Sequence, residues 1–121
     1  MSKLPEYINS NKWLKKFKYL RKVNRKEVYD FDIVLACYLL ERMKQYRGDA
    51  TEIVDLTYYK GVYNGKEYSQ LELIDMIIKK LEFYFTEIDY SVNSFEQDQE
   101  HNKAAQEAIR IIAEIFPALW W

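Results

Sequence analysis

Cysteine, histidine, glycine and proline are all scarce in this sequence, and each shortage excludes a class of protein. The 121 residues include one Cys, Cys37, and one His, His101. An intramolecular disulfide, a cysteine zinc cluster and a two-histidine zinc motif are therefore excluded. Three Gly are too few for a phosphate-binding or dinucleotide-binding loop, and with only two Pro the chain is not loop-rich. We expect neither a metal nor a cofactor.

Long apolar runs are missing as well. The longest, such as "IVLACYLL" from Ile33 to Leu40, is far below the roughly 20 residues that a membrane-spanning helix needs. The opening "MSKLPEYINSNKW" has no apolar core of signal-peptide length, so nothing marks the chain for export. We expect a cytoplasmic protein with no membrane partner.

The charges are unevenly distributed, although the net charge is only −1. Residues 1–26 contain nine Lys or Arg and one acid, Glu6, whereas residues 27–121 contain nine Lys or Arg and eighteen acids. The sequence is therefore a basic arm joined to an acidic body, within what we expect to be a single domain over residues 1–121.

The arm has the pattern of a basic amphipathic helix. Trp13, Leu14, Phe17 and Leu20 share one helical face, and eight cations surround it. These cations are the candidate partner-binding or nucleic-acid-binding residues: Lys12, Lys15, Lys16, Lys18, Arg21, Lys22, Arg25 and Lys26. They could neutralise phosphates, with interleaved aromatic rings stacking on bases, or suit an anionic membrane surface. The alternative is that the apolar face packs on the acidic body.

The remaining pattern predicts a mainly α-helical fold. We expect a compact four-helix domain formed by the basic helix and helices at about 33–47, 70–88 and 95–116, with a small β-hairpin at about 56–68 between the second and third helices. Apolar residues surround helix 33–47, which predicts that it is the most buried helix and that Cys37 is part of the core. The final helix should bury the following residues on its inner face: Ala104, Ala105, Ala108, Ile112, Ile115 and Phe116.

Local signals set the predicted boundaries. Gly48 is a natural helix stop, and Asn64-Gly65 is a strong hairpin-turn signal. Ser69 with Glu72 has the spacing of a capping box, in which hydroxyl and carboxylate bond reciprocally to backbone N–H groups; Ser94 with Gln97 has the same spacing. Pro117 should end the last helix near Phe116.

Candidate catalytic and metal-binding groups have simpler explanations. Cys37 in an apolar helix is better explained as a small hydrophobic residue, and His101 lies in the polar helix start "EQDQEHNK". The acids Glu96, Asp98 and Glu100 are typical of a solvated helix N-terminus. Acids spread over residues 72–114 could imitate a nucleic-acid backbone, but an ordinary solvated face explains them as well. We do not expect an enzyme.

Several segments together resemble a family of proteins. The stretches "YDFDIVLACYLLERMKQYR", "IVDLTYYKGVYNGKEYSQLELIDMIIKKLEFYF" and "IFPALWW" are similar to small uncharacterised helical proteins of phages and prophages of Gram-positive hosts, which end in Pro-x-x-Trp-Trp. The resemblance covers about residues 28–121. It supplies an origin and a context rather than a chemistry. Together with the small size and the lack of a catalytic signature, it leads us to expect a non-enzymatic, phage-derived interaction protein that binds a bacterial host protein in the host cytoplasm. Its most concrete form is an inhibitor of a host defence system such as a CRISPR effector nuclease, the anti-CRISPR type. The alternative is a nucleic-acid-binding accessory protein that acts through the basic helix.

The aromatic pair Trp120 and Trp121 follows the predicted helix stop at Pro117. A Trp side chain buries on the order of 150–250 Å². We therefore interpret the pair as a hydrophobic latch on the bundle, or as an interface with a partner if a ring stays exposed.

Overall fold

The computed structural model describes residues 28–119. The predicted basic helix with its eight cations, Lys12 to Lys26, and the pair Trp120 and Trp121 lie outside the described residues. Of the described chain, residues 28–34 belong to one unit and residues 35–119 to a larger one, which carries everything that follows except the start of the first helix.

The described residues form three α-helices and one hairpin. Helix α1 spans Phe31–Ile53, strands β1 and β2 span Lys60–Tyr63 and Lys66–Ser69, helix α2 spans Gln70–Tyr84 and helix α3 spans Ser94–Ile115. A 3₁₀ turn, Phe116–Ala118, follows α3, as expected from Pro117. The mainly helical fold and the hairpin are confirmed. Three helices rather than four are present among residues 28–119, and the predicted basic helix lies outside these described residues.

Gly48 does not end α1, which continues for five more residues. Beyond the glycine, Ala50 is completely buried, so continuing the helix places a side chain in the core. Two contacts support this segment: the Gln45 amide donates to both Asp49 carboxylate oxygens, at 3.0 and 2.9 Å, and the Thr51 hydroxyl donates to the Arg47 carbonyl. Tertiary burial therefore outweighs the modest helix-breaking tendency of one Gly.

The hairpin has the predicted turn. Tyr63 pairs with Lys66, and Asn64 and Gly65 between them have φ angles of 52° and 76°. Both positive values fit the two-residue turn that matches strand twist. Gly61 in β1 is needed for close packing, because a Cβ there would lie 2.8 Å from Leu73 Cδ1 on α2.

The most buried helix is α2 rather than α1. Its capping box is confirmed: the Ser69 hydroxyl accepts from the Glu72 N–H at 3.2 Å, and the Glu72 carboxylate accepts from the Ser69 N–H at 3.1 Å. Four apolar side chains of α2 are fully buried: Leu73, Ile74, Ile77 and Leu81. In α1 the buried residues are Ala36, Leu40, Met43 and Ala50, all on one face. The prediction that Cys37 is part of the core is wrong, because it lies off that face and is exposed.

Helix α3 buries one regular stripe. Its members recur every three or four residues: His101, Ala104, Ala108, Ile111 and Ile115. Ile112 is only half-buried and Phe116 is 71% exposed, so the predicted inner face was rotated by about one residue. The error arose because α3 carries apolar residues on two adjacent faces, and only packing against α2 decides which face is buried.

Candidate interaction surface at the α2–α3 turn

The described residues concentrate one sign of charge around the turn between α2 and α3. From residue 81 to residue 102 there are six carboxylates and no Lys or Arg. One of them, Glu82, forms an ion pair with Lys44 at 3.5 Å. Within residues 28–119 the other five have no ion-pair partner: Glu87, Asp89, Glu96, Asp98 and Glu100.

Exposed apolar side chains lie in the same segment. Tyr90 is 82% exposed, Phe95 72% and Val92 56%, while Phe83 and Phe85 at the end of α2 are less exposed. We call these five side chains and the five unpaired carboxylates the acidic–aromatic surface. Large exposed aromatic side chains at this density are a feature of binding surfaces rather than of an average soluble surface.

One side chain holds the turn in shape. The Gln97 amide oxygen accepts from the Asp89 N–H at 2.8 Å, and its amide nitrogen donates to the Asp89 carbonyl at 3.0 Å and to the Val92 carbonyl. A glutamine on α3 therefore fixes the backbone on both sides of Tyr90. The predicted capping box of Ser94 and Gln97 is wrong, because Gln97 has these partners instead.

The start of α3 also differs from the predicted one. The residue preceding α3 is Asn93, whose φ of 37° is left-handed and whose side chain forms no cap hydrogen bond. Asn tolerates this region better than most residues. Asn93 rather than Ser94 thus occupies the N-cap position, and Ser94 is already the first residue of α3.

His101 and Thr86 support the α2 side of the turn. The Thr86 hydroxyl donates to the Phe83 carbonyl at 2.7 Å, which uses its only proton, so the 3.1 Å contact with His101 must be donated by Nε2. The His101 ring also contacts the Phe83 ring edge-on, with 4.8 Å between centroids. His101 is buried, contrary to the solvated position that its polar neighbours indicated.

The turn also keeps a carboxylate ionised. The Ser91 hydroxyl and the Ser91 N–H both donate to Asp89 Oδ1, at 2.6 and 3.0 Å, and these hydrogen bonds lower the pKa of Asp89 below its ordinary value. Asp89 therefore keeps its negative charge to a lower pH than an ordinary aspartate.

The sequence could have identified part of this surface. A run of residues 81–102 without a cation can be read directly, as can Tyr90, Val92 and Phe95 in a polar loop. The roles of Gln97 and His101 could not, because both depend on which face of α3 meets α2.

Other kinds of site find no support in the described part of the chain. No group of three or more His, Cys, Asp or Glu side chains within residues 28–119 is arranged to hold a metal ion. The helices between these limits are also too short or too polar to cross a membrane. Neither the eight candidate cations of residues 12–26 nor the candidate pair Trp120 and Trp121 can be placed, since they lie beyond the described residues.

Comparisons of the chain with protein-family models, with curated proteins and with solved structures gave no match.

Proposed function

We propose that this chain is a non-enzymatic interaction protein that binds a basic surface on a bacterial host protein. The observation that carries the proposal is the acidic–aromatic surface, in which exposed Tyr90, Val92 and Phe95 share one short segment of the described chain with five carboxylates that have no ion-pair partner there. Aromatic side chains supply most of the energy in many interfaces, and complementary charge raises the rate of association.

The fixed backbone of the turn favours binding. A loop that must order on association loses part of the interaction energy in doing so. Here the three hydrogen bonds of Gln97 fix the segment from Asp89 to Val92 in the free protein. Tyr90 and Val92 are therefore presented on a backbone that is already ordered.

The chemistry of the surface restricts the class of protein that could be the partner. Grooves that bind nucleic acid are lined with Lys and Arg that contact phosphates. Unpaired carboxylates about one helical turn apart, such as Glu96 and Glu100, can occupy such a groove in place of phosphates. Together with the resemblance to phage and prophage proteins, this favours a nucleic-acid-binding partner, most concretely a CRISPR effector nuclease that the protein inhibits as an anti-CRISPR.

The test is competition for nucleic acid on purified effector nucleases. The wild-type protein should block DNA binding by one of them. The triple variant Tyr90→Ala, Val92→Ala, Phe95→Ala should be weaker by about 30-fold or more, because truncating a hot spot costs about 2 kcal/mol. The control is Ile53→Ala with Val62→Ala, which removes exposed aliphatic side chains elsewhere and should inhibit normally.

The charges are tested separately. Glu96→Gln, Asp98→Asn and Glu100→Gln together should slow association and weaken its dependence on salt, while the thermal midpoint changes little. Equal inhibition by wild type and both sets of variants would remove the surface from the mechanism. Expression that fails to protect phage from every defence system tested would remove the inhibitor form of the proposal.

The alternative function, nucleic-acid binding through the cations of residues 12–26, rests on their density in the sequence. Replacing Lys15, Lys16, Arg21 and Lys22 with Glu would then abolish binding of DNA or RNA in a filter assay. Wild-type binding should also fall steeply with salt. A complex with a host protein that survives nuclease treatment would favour the proposed protein partner over this alternative.

A further inference from the structure

A pocket of about 560 Å³ lies at the opposite end of α2 from the acidic–aromatic surface. The segment after α1, the first residue of α2 and the 3₁₀ turn form its lining. The lining residues include Val54, Tyr58, Tyr59, Pro117 and Ala118, and Gln70 and Asp55 supply polar groups. A mostly apolar pocket with few polar groups is the usual form of a small-molecule site.

Gln70 is the unusual member of this lining, because only 4% of it is exposed. Its amide nitrogen donates to the Ala118 carbonyl at 3.3 Å and to the Tyr46 hydroxyl at 3.5 Å. A carbonyl oxygen can only accept, so this contact fixes which end of the amide is nitrogen. The other end, Oε1, is therefore held in a single orientation.

Gln70 Oε1 has no hydrogen-bond partner among residues 28–119. In the same part of the chain, every fully enclosed side-chain polar atom does have a partner. Oε1 is therefore not fully enclosed, and because Gln70 lines the pocket, a ligand in the pocket could reach this oxygen. A nearly buried acceptor without a donor is costly, so a ligand that brings an N–H group would gain from it.

The other residues of the lining further restrict the chemistry of the ligand. Tyr59 contributes an aromatic ring and Pro117 an apolar ring to the lining. Asp55 is also at the pocket, and hydrogen bonds from the Thr57 hydroxyl and N–H hold its pKa below the ordinary value, so it is an anion. An anionic ligand is therefore disfavoured.

We propose that this pocket binds a planar, uncharged aromatic ring with an N–H donor, of which indole is the simplest example, through a hydrogen bond to Gln70 Oε1. The proposal is independent of the function proposed above. The same ring chemistry has two sources: a free aromatic ligand, and the Trp side chains that follow Leu119 in the sequence. The experiment has to separate the two.

The test uses the full chain and two probes, indole and 1-methylindole, which share the ring but differ in the N–H group. Binding is followed by ¹H–¹⁵N nuclear magnetic resonance at the Gln70 side-chain amide and the Tyr59 backbone amide. Indole should bind about fivefold to tenfold more tightly than 1-methylindole, since one hydrogen bond contributes about 1 kcal/mol. The same titration is repeated on the variant Trp120→Ala, Trp121→Ala.

Each outcome decides the question. Binding to the wild-type chain with the expected preference supports the site with a free ligand as its source. Binding only to the Trp-free variant supports the site with the chain's own indole as the source. Equal affinity for both probes, shifts that avoid Gln70 and Tyr59, or no binding to either protein would overturn the proposal.

Discussion

Replacing Gln97 with Ala should loosen the turn that presents Tyr90 and Val92. The substitution deletes all three side-chain hydrogen bonds that Gln97 makes to the turn backbone, leaving the Asp89 N–H and two carbonyls without that partner. The surrounding helices should keep their core, because Gln97 is only half-buried and is not one of the core residues.

The expected magnitude follows from the number of bonds and their exposure. Three hydrogen bonds at about 0.5–1.5 kcal/mol each would contribute about 1.5–4.5 kcal/mol. Water can reach the freed backbone groups in this exposed turn. We therefore expect a loss of unfolding free energy in the lower half of that range, about 2 kcal/mol. For a domain of this size, that loss lowers the thermal midpoint by roughly 8–10 °C.

The matched control is Gln99→Ala. Gln99 lies two residues further along the same helix, is exposed, and makes no side-chain hydrogen bond to any residue between 28 and 119. Both substitutions gain the same small helix propensity, so the difference between them isolates the turn contacts.

Two measurements check the prediction. Chemical denaturation gives the difference in unfolding free energy between the two variants. Hydrogen exchange at the Asp89 amide should be about tenfold faster in Gln97→Ala, because its acceptor is gone. If the two variants exchange equally at Asp89 and unfold with the same free energy, the turn does not depend on Gln97 and the argument for a preformed surface fails.

Three further predictions concern the scaffold. Gly48→Ala should stabilise the protein by about 0.5–1 kcal/mol in thermal unfolding, because the position is inside a helix with nothing within 4 Å of the new Cβ. Gly61→Ala should instead destabilise it by about 1–3 kcal/mol, since the Cβ would meet Leu73 Cδ1; equal effects at the two glycines would contradict this. The N–H and hydroxyl of Ser69 lower the pKa of Glu72, so its contribution to stability is present above the ordinary Glu pKa of about 4.3 and is lost as pH falls below it. Glu72→Gln should therefore flatten the fall of the thermal midpoint on acidification, and an unchanged slope would show that the capping carboxylate has no such role.

Local chemistry made some features predictable. The capping box of Ser69 and Glu72 and the Asn64-Gly65 turn depend on hydrogen bonds and φ angles within a few residues, so their sequence signals suffice. The end of the last helix before Pro117 was predictable for the same reason, because a proline ring removes a backbone N–H donor at any position in a chain.

For the candidate surface, only the amino-acid composition was predictable from the sequence. A run without cations and a loop with Tyr90, Val92 and Phe95 can be seen in the sequence, but Ser94 and Gln97 have capping-box spacing that misled the local interpretation. Gln97 instead bonds to the turn because α3 packs on α2 with His101, Ala104 and Ala108 inward. That choice of face also buries His101 against Phe83 and Thr86.

Within residues 28–119 the sequence alone thus determined which segments are helical, where the hairpin turns and where negative charge collects, since each depends on neighbours within about one helical turn. Tertiary structure decided which helix is most buried, why α1 continues through Gly48, and how one glutamine fixes the α2–α3 turn. These outcomes depend on contacts between residues distant in the chain. Several faces of α1 and α3 are apolar enough to be buried, and only mutual packing selects among them.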